Sequence, residues 1–266
     1  LIANSATTLP VNLWYPAGNT LEPQTGEQLA LGYFRNFGGD TYKFSAEAYY
    51  KWLHNQVDFK DFADIFFNKT IEADLLQGSG RAYGVELMMK KVTGRFSGWV
   101  SYTYSRSKRT IPGINGGNEF RAVFDRPHYA TLVANYKLNE EWTFGATWVF
   151  ASGQPLTFPT GVTIFNGTPV PVFEERNNYR TPAYHRGDIS LTWDMPEEEG
   201  QRWDGSLNFS IYNFYGKKNP FIIQTRTAIF DSSDPGRFGL DDFSNVQAVK
   251  VVLFTFVPAI TYNFTF

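Results

Sequence analysis

With 266 residues the chain can form one large all-β domain or two average ones, and its formal net charge of −2 offers nothing to a polyanion such as a nucleic acid. It has no cysteine, which excludes disulfide frameworks, thiolate metal sites and cysteine nucleophiles. Aromatic residues reach 18%, as 25 Phe, 15 Tyr and 7 Trp, an excess that suits the girdles of a membrane barrel and also occurs in carbohydrate-binding β-proteins.

No uninterrupted apolar run approaches the ~18 residues of a transmembrane helix; the most apolar stretch, Val251 to Ile260, is broken by Thr255 and Pro258. The chain starts at Leu1, without an initiator Met or a secretory leader, and is expected to be a processed chain or a fragment.

In chain order, residues 1–25 mix Pro, Gly, Asn and Ser around Val11, Leu13, Trp14 and Tyr15 and read as a long loop. A strand over Glu27 to Phe37 meets the turn Gly38-Gly39-Asp40, whose glycines tolerate positive φ, and a second strand follows. From Tyr42 to Trp52, Tyr42, Phe44, Ala46, Ala48, Tyr50 and Trp52 share one face and Lys43, Ser45, Glu47, Tyr49 and Lys51 the other. Charges on one face of a long strand are costly in a dry core.

After a second long loop, 54–80, alternation resumes over Arg81 to Lys91, turns at Thr93-Gly94, and returns with Phe96, Gly98, Val100, Tyr102 and Tyr104 opposite Ser97, Trp99, Ser101, Thr103 and Ser105. A third loop, 107–126, contains Pro112-Gly113 and Gly116-Gly117. His128 to Tyr136 and Trp142 to Phe150 form the next hairpin, followed by a fourth loop, 151–184. Arg186 to Asp194 and Gly205 to Tyr215 are joined by the compact Pro196 to Arg202; a fifth loop covers 216–246, and a last strand starts near Lys250.

Short turns thus alternate with long loops, which puts all short turns at one end of a sheet and all long loops at the other. Outer-membrane barrels have this asymmetry, whereas β-sandwiches show it less regularly. The expected fold is all-β, a transmembrane antiparallel β-barrel. The count of about nine strands is odd where single-chain bacterial barrels use an even number, so further strands are expected before Leu1.

In the last stretch, Ile260, Tyr262, Phe264 and Phe266 share one face, and Thr261, Asn263 and Thr265 the other. No catalytic, metal or cofactor constellation is found, and the chain is not expected to be an enzyme. His54, His128 and His185 are scattered, and read as loop or interfacial residues. Glu47 and Glu86 read as lumen residues without converging partners, and Gly113, Gly116 and Gly117 as turn residues rather than a phosphate loop. Asp231, Asp234, Asp241 and Asp242 supply oxygens for a cation but lack the spacing of a calcium loop. Trp14, Tyr15, Phe165, Tyr179 and Tyr184 are loop aromatics that could stack on a ligand, with packing between loops or girdle placement as the plainer alternative.

Several ordered segments carry a resemblance. They are L-W-Y-P (13–16), E-P-Q-T-G-E-Q-L-A-L-G-Y (22–33), S-A-E-A-Y-Y-K (45–51), G-S-G-R-A-Y-G-V-E-L (78–87), F-D-R-P-H (124–128), S-G-Q-P-L-T (152–157), Y-N-F-Y-G-K-K-N-P-F (212–221) and the final I-T-Y-N-F-T-F. In order and spacing they resemble the C-terminal half of TonB-dependent outer-membrane receptors of Gram-negative bacteria, particularly those of Bacteroidetes type. The resemblance implies a C-terminal sector, over 1–266, of a roughly 22-stranded barrel whose N-terminal plug is not in this chain. It also implies substrate uptake energised by the TonB complex through that plug, ligand or partner binding at the long extracellular loops, and an outer-membrane lipid environment. A surface lipoprotein partner is a further implication. Ile260, Tyr262, Phe264 and Phe266 are similar to the signal by which the outer-membrane insertion machinery recognises barrels. Two other readings stay open: a plugless pore or structural subunit of a surface complex, and a soluble carbohydrate-binding β-protein.

Overall fold

The computed structural model describes residues 2–3, 12–13, 15–18, 20–61, 63, 70–166, 168–196, 204–227 and 246–265. Nine long strands form its frame: β1 (Thr25–Phe37), β2 (Tyr42–Phe59), β3 (Leu75–Lys91), β4 (Phe96–Thr110), β5 (His128–Lys137), β6 (Trp142–Ala151), β7 (Tyr184–Asp194), β8 (Asp204–Tyr212) and β9 (Val257–Thr265). They pair antiparallel in chain order from β1 to β9, a meander, with Phe120–Arg121 adding a short rung on β4. The sheet is not closed, and β1 and β9 are its two edges among the described residues.

Local chemistry sets the short-turn end. Gly38, Gly39 and Asp40 all have φ near +60°, a left-handed run in which the two glycines carry no Cβ to clash. After β5, the Asn139 side-chain oxygen accepts the backbone N–H groups of Glu141 (3.0 Å) and Trp142 (2.7 Å), a turn built by one amide.

The strict two-residue period carries the expected faces across the register. Arg35, Phe44, Met89, Val100, Leu132 and Trp148 form one row, and Tyr136, Phe144, Leu191, Phe209 and Ile260 another. On the opposite face run Ser97, Asn135, Gly145, Ser190, Ser210 and Ala259, and beside them Thr143, Thr192, Asn208 and Thr261. The apolar face is uncovered: Leu31 is 80% and Ile260 71% exposed. An uncovered apolar face of this extent is unsuited to water and suited to lipid. From Tyr42 to Trp52, at ~3.3 Å per residue and a tilt of ~40°, β2 rises about 25 Å, the height of an outer-membrane apolar band. Aromatic pairs mark both borders: Trp142 and Trp193 stack 6.0 Å apart near the short turns, and Tyr50 and Tyr83 5.9 Å apart toward the loops.

The loops differ from the sequence expectation. Pairing of β2 with β3 runs on to Phe59 and Leu75, so the segment read as loop 54–80 contracts to residues 60–74. Loop 107–126 likewise starts only after Thr110. Loop 151–184 contains a hairpin, Gly161–Phe165 with Thr168–Val172, and loop 216–246 contains Ile222–Thr227, which pairs with Val246–Val251. The last strand therefore divides in two, Val246–Val251 and β9. Strands continue above the band because the loop end has its own packed interior, which pays back the ordering of chain that is polar in sequence.

Candidate functional site

A single inserted residue organises the loop end. Between Leu53 and Gln56 the β2–β3 register slips at a bulge, with Asn55 at φ 53° and its side-chain amide donating to Glu22 Oε2 (2.9 Å) and Pro23 O (3.2 Å). One extra residue exchanges the two faces of a strand. Beyond it Val57 and Phe59, on the band side of the sheet, bury against Leu21 and Leu75, with Tyr15, Ala63 and Ile71 around them. A second cluster, Ile111, Ile114 and Phe120 with Leu76, lies alongside.

The same slip turns Asp58 toward Arg176 and Arg109. Its carboxylate accepts from Arg176 Nη2 at 2.9 Å and from Arg109 Nη1 at 3.4 Å, and also takes the N–H of Phe59 at 2.8 Å. Arg176, 3% exposed at its side chain, reaches Asp61 Oδ1 (3.4 Å) with its other terminal nitrogen, and its backbone N–H donates to the Asn115 side chain at 2.8 Å. Charges this buried persist only when paired.

Asp125 forms a second buried centre. It accepts the backbone N–H of Ser107 (2.7 Å), pairs closely with Arg180, and lies 3.4 Å from Arg106 Nε. Arg180 also donates to the carbonyls of Asp125 (2.6 Å) and Gly153 (3.0 Å), tying loop 151–184 to loop 107–126. At Gly153 any Cβ would run into the Thr181 carbonyl, so only glycine allows this approach.

Between these centres lies a polar cavity of about 540 Å³, whose walls include Arg106, Lys108, Glu119, Arg121, Glu174 and Arg176. Its volume lies within the range of small-molecule sites. Glu119 bridges Lys108 (2.6 Å) and Arg81 (2.7 Å). Burial opposes its ionisation, but hydrogen bonds from Lys108 and Arg81 outweigh that and hold its carboxyl below the usual range. Among the described residues Arg121 donates only to backbone carbonyls, those of Asn177 (3.5 Å) and Asn178 (3.2 Å), while Glu174 and Glu175 stand exposed at the edge. The arrangement can hold a polar ligand by hydrogen bonds and charge.

Residues 3–214 match the family described as TonB dependent receptor-like, beta-barrel. The chain belongs to that family. Its members are outer-membrane β-barrels of Gram-negative bacteria, and the soluble carbohydrate-binding reading is overturned. Solved TonB-dependent receptors share its fold. The ferric citrate transporter FecA in its unliganded form matches with a TM-score of 0.54 and 17% identity over 90% of this chain and 31% of its own. The ferric-catecholate import receptor Fiu of K12 E. coli, in a closed form, gives 0.50 and 14% over 94% and 30%. The FrpB iron transporter of Neisseria meningitidis gives 0.52 and 13% over 94% and 32%. The chain spans about a third of the length of these proteins. No curated protein matches it in sequence.

In this TonB-dependent receptor chain the residues singled out from sequence are dispersed. Tyr15 packs on the Phe59 cluster and donates its hydroxyl to Glu72 (2.7 Å); that hydrogen bond, with burial and the Glu72 charge, raises its pKa. Phe165 projects from the hairpin tip, Tyr179 tilts against Phe158 at 5.3 Å, and the half-buried Tyr184 hydroxyl accepts from Arg186 at 3.2 Å. Ile260, Tyr262 and Phe264 stand exposed on the band face of β9. Trp14, Phe266, Asp231, Asp234, Asp241 and Asp242 lie outside the described residues. His54 sits 3.8 Å from Glu27, His128 2.7 Å from the Tyr102 hydroxyl and His185 3.1 Å from that of Tyr215. Glu47 and Glu86 do come together, directly opposite each other on β2 and β3.

Sequence reasoning missed Asp58, Asp125, Arg176 and Arg180. One signal was present: Asp125 is the acid of F-D-R-P-H, and Gly153 the glycine of S-G-Q-P-L-T. Asn213 of Y-N-F-Y-G-K-K-N-P-F is similarly structural, with φ 54°, its amide donating to Lys217 O (2.9 Å) and Thr255 O. These motifs mark the points where loops are tied to each other.

Proposed function

We propose that this chain is the C-terminal sector of an outer-membrane receptor that captures a ligand at its long loops and passes it along a polar lumen, energised by TonB through a plug domain. The observation that carries this reading is the packed loop end, whose buried ion pairs hold a ligand-sized polar cavity above a lipid-facing wall. Loops serving only as a rim would not need two charge centres and two apolar clusters to keep them in place. The extracellular side is assigned to the long loops, where a surface lipoprotein would dock, and the short turns to the periplasm. In the same reading Ile260, Tyr262, Phe264 and Phe266 present the aromatic signal to the insertion machinery, and deleting Phe266 is expected to impair insertion more than ligand binding.

The test compares which compounds disappear from a complex medium around cells with the receptor, without it, and with the receptor but without TonB. At least one compound should be depleted only in the first case. Equal depletion with and without TonB would remove the energised step from the proposal.

A further inference from the structure

The cavity at the loop end holds an imbalance that the surrounding ion pairs do not resolve. Arg176 is almost fully buried, and while its two terminal nitrogens pair with Asp58 and Asp61, its Nε–H has no acceptor among the described residues. Arg106 lines the same cavity, and its buried Nε also lacks a hydrogen bond: Asp125 lies 3.4 Å away but is not in line with the N–H. Arg121, on the same wall, donates to two carbonyls and, among the described residues, to no carboxylate. A buried N–H left unpaired costs a substantial part of its hydration, so two such groups on residues of one cavity wall, those of Arg106 and Arg176, call for an acceptor oxygen. Guanidinium groups favour oxyanions, which match their planar donors and take up positive charge together. The carboxylates of this cavity are placed differently: Glu119 is held by Lys108 and Arg81, and Glu174 and Glu175 are exposed at the edge.

We propose that Arg106, Arg121 and Arg176 form an oxyanion site, taking a carboxylate or phosphate group of the ligand. This rests on the reading of the loop end as ligand-facing and narrows the ligand to one bearing an oxyanion. Glu174 and Glu175 at the edge oppose a bare anion and select ligands that carry hydroxyl or cationic groups beside it.

The test is calorimetric titration of the purified protein in detergent with inorganic phosphate and with succinate, together with flotation on vesicles of phosphatidylcholine with and without phosphatidylglycerol. Binding of the soluble anions should weaken with added salt, fall about tenfold in Arg121→Gln, where one charge-assisted pair is lost, and strengthen a few-fold in the doubly substituted Glu174→Gln, Glu175→Gln protein. The second variant changes only exposed side chains and controls for misfolding of the first. Flotation that requires phosphatidylglycerol and Arg121, without a response to the soluble anions, would keep the oxyanion site and assign its ligand to a lipid headgroup. No binding of either kind, or anion binding indifferent to both variants, overturns the proposal. Binding that persists in a receptor whose uptake does not need TonB would sink the uptake reading alone.

Discussion

Strand β2 passes through two solvents within its own length. From Tyr42 to Trp52 its apolar side chains face outward in the exposed row that joins Tyr33, Leu87 and their neighbours; a few residues later Val57 and Phe59 are buried. The wall is stable without a core because a bilayer replaces one, and its remaining face is polar. The loop end has water outside and so must bury apolar groups of its own, Phe59 at 1% exposure and Ile111 at 0% among them. The bulge at Leu53 to Gln56 is where one rule gives way to the other. What the comparison teaches is that outward-facing hydrophobicity and buried charge are not anomalies here but the signatures of two regions that answer to different surroundings.

The largest effect is expected at the buried charge centre. Arg176→Ala leaves the buried Asp58 with the more distant Arg109 as its cationic partner among the described residues, and breaking a buried pair by removing one partner costs about 3–5 kcal/mol. Hydrogen exchange should rise across residues 56–61, 75–78 and 111–121 and stay unchanged in β5 to β7. Uniform loosening of the whole chain would mean that the two regions are not separable. Phe59→Ala should act in the same place by a different route, at about 3–5 kcal/mol for an emptied aromatic site, with the same local exchange pattern.

The wall should respond to the opposite change. Leu87, on the band face between Ala46 and Tyr102, is 40% exposed in the chain alone, so Leu87→Ala removes little packing. Leu87→Arg, in contrast, places a charge within the lipid-facing band and should cost about 2–4 kcal/mol, read as a shift in urea-dependent folding into vesicles. If Leu87→Arg were neutral in vesicles, the outward assignment of this face would fail.

How much of this was legible follows the same division. The wall could be read because a single rule, alternation, acts on every residue from Tyr42 to Trp52 and from Trp142 to Phe150, and it predicts both the faces and the alternating connections. The loop end obeys no short period. Asp58 becomes buried only because one inserted residue near Asn55 changes its face, and its partner Arg176 lies 118 positions along the chain. No local pattern announces a contact of that separation. The five loop aromatics have the chemistry to stack on a ligand and, more plainly, to pack between loops; Tyr15 packs in a cluster and Phe165 stands at a hairpin tip, and aromatic type alone does not say which loop will cover which.

The smallest expected effect concerns pH and the cavity wall. Glu119 has its pKa lowered from an ordinary 4.5, since hydrogen bonds from Lys108 and Arg81 to its ionised form outweigh its burial. A carboxyl whose folded value is depressed contributes stability that is full above the unfolded value and is lost as pH falls through the folded one. The contribution should therefore be present at pH 6 and disappear on acidification below about 4.5. Glu119 is about one-third exposed, so solvent screening limits the effect to about 1 kcal/mol or less. The other carboxyls are common to both proteins, so the informative quantity is the difference in melting temperature between wild type and Glu119→Gln. That difference should shrink toward zero with falling pH, and it should diminish with salt, because the pair is partly open to solvent. A difference that grew on acidification would mean that burial, not Lys108 and Arg81, governs Glu119, and would place this edge of the cavity with the dry interior of the loop end instead of its solvated face.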